Sequence, residues 1–115
     1  MELARLDFQQ LRVKHIFCKS KVRTVLYGAG DDSSFFQSQN PVSLWFTSVG
    51  QVKYGKEPEM QHLHRLHRDF SVLSDELIKK YKSGQIEQAH AGLAELGEMS
   101  DKFLKIVSSL EMRYQ

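Results

Sequence analysis

The chain has 115 residues, 41% of them hydrophobic and 26% charged, and a formal net charge of +2. That length suits a single domain, 1–115, with a modest core, and the charge is too small for the footprint of a nucleic-acid binder. A single cysteine, Cys18, excludes an intramolecular disulfide and fits a reducing, cytoplasmic setting.

No apolar run nears the roughly 20 residues that span a bilayer, so no membrane insertion is expected. The opening "MELARLDFQQ" carries acidic residues and no apolar stretch of a signal peptide. In the first segment Phe8, Leu11, His15, Cys18, Val22 and Val25 recur at alternating steps of three and four. That is the inward seam of a helix packed on other helices. Asp7 is the expected N-cap, and Gly28 and Gly30 the stop. Residues 29–39, "AGDDSSFFQSQ", read as a connection whose Phe35 and Phe36 tuck against the helices. Asn40 and Pro41 then supply a cap and a first residue for a short helix. Val42, Trp45 and Phe46 should pack, and Gly50 should stop it.

Pro58 opens a long helix to Ser83, with Gly84 past its end. Met60, Leu63, His67, Phe70, Ser74, Leu77 and Tyr81 keep the same rhythm. The last helix begins near Gln85, with Ile86, Ala89, Leu93, Leu96, Ser100, Phe103, Val107 and Leu110 inward. Gly97 within it weakens it by about 1 kcal/mol and marks a close helix contact. The tight "KSGQ" link makes these two helices antiparallel neighbours. The expected fold is all-α: an antiparallel four-helix bundle with three long helices and one short Trp-containing helix.

The stretch "HLHRLHRDFS" holds His62, His64 and His67. At about 100° per residue only His67 falls on the seam; His64 borders it and His62 faces solvent. One helix presents metal ligands at i, i+3 or i, i+4, and the i+4 partner of His67 is Ser71, a poor zinc ligand. His15 is the second inward histidine. Two such histidines are too few for zinc, which takes four protein ligands in structural sites and three in catalytic ones.

The order of "KHIFCKSKVRTVLYG", "NPVSLWFTSVGQVKYG" and "PEMQHLHRLHRDFS", followed by an amphipathic helix, resembles the bacterial chemoreceptor zinc-binding domain, CZB. The resemblance runs from about Leu6 to Leu110. It implies a sensory domain in chemotaxis or cyclic-di-GMP signalling, whose zinc is held by three His and one Cys. His15 matches the first His, and His67 the first of the H-x-x-x-H pair. Anchored on Trp45, the Cys position is Asn40 and a Gly position is Ser43, while Ser71 takes the last His position. The implied metal residues here are thus a remnant pair, His15 and His67.

The expectation is a stand-alone, non-catalytic regulatory domain with no cofactor, acting through a protein partner or as a homodimer. In it Asn40, His15, His67 and Ser71 form a metal-free polar network. The alternative is a zinc or redox sensor rebuilt from His15, Cys18, His64 and His67. A hydrolytic enzyme using His15 and His67 at an open metal site is disfavoured, because no carboxylate ligand or general base adjoins either in sequence. Arg12, Lys14, Lys19, Lys21 and Arg23 follow one another with no acid between them. They read as a solvated face balanced by Glu87, Glu95, Glu98 and Asp101 on the last helix. Only Phe17 falls among them, short of the interleaving of aromatics that nucleic-acid binding requires.

Overall fold

The computed structural model describes residues 3–28 and 40–114, and the regular structure among them is all helical. Helix α1 spans Leu3–Leu26 and α2 Pro41–Trp45; a π turn, Phe46–Gly50, leads into α3, Gln51–Tyr54. Helix α4 is Pro58–Lys82, α5 Ile86–Ala91 and α6 Leu93–Arg113. No helix among the described residues is long and apolar enough to cross a membrane.

The helices pack together around one core. Every seam residue expected on α1 is buried, as are Met60, Leu63, His67, Phe70, Ser74 and Leu77 on α4. Helix α6 contributes Leu96, Ser100, Phe103, Val107 and Leu110. Each large apolar side chain so buried contributes about 1.5–3 kcal/mol of transfer free energy. Partners of α1 run backwards along the rest of the chain. The Phe8 ring lies 5.8 Å from Tyr114, Arg12 pairs with Glu111, His15 bonds Ser100, and Leu26 bonds His90.

Asp7 is not a cap. Helix α1 begins four residues earlier, and the Asp7 carboxylate instead accepts from Lys53 Nζ at 2.6 Å and Tyr54 Oη at 2.7 Å. Trp45 Nε1 donates to the Asp7 carbonyl at 3.1 Å. Burial, followed by the Asp7 hydrogen bond and charge, holds the Tyr54 phenol well above its usual pKa. The start of α1 is thereby tied to both ends of the short helical segment.

Two glycines, Gly50 and Gly97, behave differently from the sequence expectation, and a third, Gly92, divides the last helix. Gly50 does not stop the short helix; the chain runs through it into α3. There the Gln51 N–H bonds the carbonyl of Phe46, five residues back. A Cβ on Gly50 would sit 2.6 Å from the Trp45 ring, so this position needs the close approach and not a chain break. The last helix is divided: α5 ends at Ala91, and α6 starts after Gly92, where an added Cβ would lie 2.3 Å from Leu77 Cδ2. The close contact expected at Gly97 is at Gly92, since a Cβ on Gly97 would meet nothing within 4 Å. Ile86, expected inward, is 46% exposed at the free start of α5. Phe35 and Phe36 lie outside the described residues.

Candidate polar site in the helical core

The middle of α1 places His15 against α4 and α6. Its ring is stacked on Phe103 at 4.3 Å and tilted against Phe70 at 5.0 Å, with no solvent exposure. Its Nε2 lies 2.8 Å from Ser100 Oγ. One turn before Phe70, α4 brings in His67, whose Nε2 lies 3.0 Å from Ser43 Oγ. Its ring centroid is 5.9 Å from that of Phe46. Each imidazole therefore has one serine partner, and the buried Nδ1 of each has no hydrogen-bond partner.

This setting penalises a charged ring. Burial first, then the neighbouring His67 and Lys19, pushes the His15 pKa down to about 3. Burial, then His64, pushes His67 down to about 4. Both rings are neutral near pH 7, each with one N–H and one lone pair.

Asn40 caps α2 and closes one side of this region. Its Oδ1 accepts from the Val42 N–H at 2.9 Å and the Ser43 N–H at 3.3 Å, and from the Cys18 thiol at 3.5 Å. The Cys18 thiol is pushed up to about 11, mainly by burial, against a smaller opposing pull from the Val42 backbone N–H. A thiol so held is neither a ready nucleophile nor a ready metal ligand.

The network expected among Asn40, His15, His67 and Ser71 is thus built differently. Ser71 is half-buried on α4 and bonds neither ring; Ser100 and Ser43 take that role. Ser100 stood on the inward seam, and a serine there has to find a partner, a signal that marks it as a candidate without naming which. His62 and His64 are exposed, and His64 meets the Phe46 ring edge-on at 5.2 Å. His90 stacks on Tyr27 at 4.3 Å, and its Nε2 donates to the Leu26 carbonyl at 2.5 Å. That bond satisfies an end carbonyl of α1 and is a structural role.

The donor set does not fit the zinc that the CZB pattern implies. The Asn40 oxygen already serves three donors, and Ser71 offers only a neutral hydroxyl. Each imidazole has its Nε2 on a serine and only Nδ1 to offer, so the pair supplies at most two donors. Among the described residues no three His, Cys, Asp or Glu side chains are grouped so as to hold a metal ion. The rebuilt set of His15, Cys18, His64 and His67 is therefore not assembled. On the basic face of α1, Arg12 pairs with Glu111, a later acid of the last helix than the four expected to balance it.

Compared with family models, with curated proteins and with solved structures, the chain gives no match.

Proposed function

We propose that this chain is a non-catalytic regulatory domain, an antiparallel four-helix bundle of the CZB type in which a polar network stands where zinc would be held. It works by binding a protein partner, in the chemotaxis or cyclic-di-GMP signalling that the resemblance implies. The reading is carried by one observation. The two inward histidines spend their Nε2 atoms on Ser100 and Ser43, while the other two ligand positions hold a helix cap and a serine. The inverse pairing of α1 with α5 and α6, and the short Trp45 segment, support the bundle arrangement. Metal content per chain tests the proposal, by elemental mass spectrometry on untagged protein purified without chelator, beside a His67→Ala control. The expected result is negligible zinc and a melting temperature unchanged by added zinc. About one zinc per chain, lost in the control, would overturn it.

The two unpartnered Nδ1 atoms favour a second reading, a sensor whose site assembles on loading. It would use the two Nδ1 atoms while each Nε2–H stays on its serine, and it requires Cys18 to leave Asn40 and His64 to turn inward. Zinc would then protect Cys18 from thiol labelling; equal labelling with and without zinc rules it out.

A further inference from the structure

Helix α1 has two apolar faces. One is the core seam. Of the eleven exposed large apolar side chains among the described residues, five lie on α1: Leu3, Leu6, Val13, Ile16 and Phe17. Leu6 and Val13 are one heptad apart and about 180° from the His15 side of the helix, at 100° per residue. Gln9, Gln10, Ser20 and Thr24 fill the same outward strip, which carries no charge. A shallow groove lined by Leu6, Gln9, Gln10, Val13 and Lys14 runs along it.

The strip is edged by cations. Arg12 is taken by Glu111, but Lys14, Lys19 and Arg23 edge the strip, and the single acid of α1, Asp7, is turned inward to Lys53 and Tyr54. Lys14 stands on one flank, and Lys19 and Arg23 on the other. An apolar strip between charged flanks is the surface that receives an amphipathic helix.

The charges select the occupant. A second copy pairing through α1 would set cationic flank against cationic flank, which is destabilising. The acid-bearing helix of this chain, α6, shows only Met112 as an exposed large apolar side chain, so it has no matching row. A lipid surface suits the cations but not the four uncharged polar side chains within the strip, which would enter the acyl boundary. We infer that the outward face of α1, from Leu3 to Thr24, docks an amphipathic helix of a partner protein whose apolar row is flanked by Asp and Glu. At 1.5 Å per residue that face is roughly 30 Å long, room for about six turns.

This names the partner chemistry for the regulatory reading above and rests on it only in that a regulatory domain needs a partner. The face lies across α1 from His15 and Cys18, so metal content and docking can fail separately. The test uses two synthetic helical peptides of the same leucine heptad pattern, one with Glu on both flanks and one with Lys, titrated into the isotope-labelled full chain and followed by amide NMR. The Glu peptide should shift resonances on the outward face of α1, and the Lys peptide should not bind. Leu6→Ser/Val13→Ser and, separately, Lys14→Glu/Arg23→Glu should each weaken binding at least tenfold at unchanged melting temperature. Leu6, Val13 and Arg23 are exposed and Lys14 is half-exposed, so the fold survives either change. The inference is overturned if the Glu peptide fails to bind or shifts residues elsewhere, or if both variants bind like the parent. Binding of phosphatidylglycerol vesicles through this face, or a concentration-dependent dimer abolished by Leu6→Ser/Val13→Ser, would equally overturn it by assigning the face to lipid or to a second copy.

Discussion

His15 on α1 and Ser100 on α6 meet in the core at 2.8 Å, although 85 positions separate them in the chain. Both are fully buried. The bond joins the first and last long helices through the one polar contact that His15 makes.

Removing half of this pair should cost more than removing all of it. Ser100→Ala leaves the buried Nε2 unpartnered and should destabilise by about 1–3 kcal/mol. His15→Leu with Ser100→Ala replaces both partners by apolar groups and should recover most of that loss. Urea melts of the parent, both singles and the double give the coupling directly. Additive losses would mean that the two groups do not share a bond.

Acid should unfold the chain early. Both histidines have folded pKa values below the unfolded 6.5, about 3 for His15 and about 4 for His67. Between those limits the unfolded chain binds more protons, so stability rises with pH. The contribution is complete above about pH 6.5 and declines by about 1.4 kcal/mol per pH unit per histidine as pH falls. Below about pH 4.5 Glu59, held low by its bond to Arg113, adds a loss of its own. Chemical melts between pH 6.5 and 4.5 therefore isolate the histidines. His15→Leu/Ser100→Ala should have about half the parental slope there, and an unchanged slope would contradict this account.

Cys18 should be inert while the chain is folded. Its thiol is buried and held at a pKa of about 11. Labelling with a chromogenic disulfide at pH 8 should be slow in buffer and fast in denaturant, so that its rate follows opening of the fold. Rapid labelling of the native chain would place the thiol at the surface.

Two glycines should respond to alanine with opposite signs. Gly97→Ala adds a Cβ into open space within α6 and should stabilise by up to about 1 kcal/mol. Gly50→Ala forces a Cβ against the rigid Trp45 ring and should destabilise by about 1–3 kcal/mol. Thermal melts of the two variants decide it, and the same sign in both would contradict the packing described at Gly50.

The inward seams were readable because apolar side chains at steps of three and four leave a helix one way to bury them. That placed His15, Cys18, His67 and Ser100 correctly in depth. Their partners were not readable. Spacing gives the face of a helix but not its rotation or height against a neighbour, so Ser71 was expected in the network where Ser43 in fact meets His67. Gly50 and Gly97 were misread for a similar reason. Gly50 answers to the Trp45 ring, and the close contact expected at Gly97 falls to Gly92, against Leu77. Asp7 suited an N-cap locally, yet it is claimed by Tyr54 and Lys53, 47 and 46 positions away.

The π turn at Phe46–Gly50 works as a phase shifter. Its bond from Gln51 to Phe46 closes over five residues, one more than an α turn uses. The surplus residue lets Trp45 and Tyr54 both point at the start of α1, where their rings lie 5.9 and 4.7 Å from Phe8. Deleting one residue there would restore an unbroken α-helix and turn Tyr54 by about 100° away from Asp7. In this segment a change of length acts as a rotation, and the grip on α1 is what it would release.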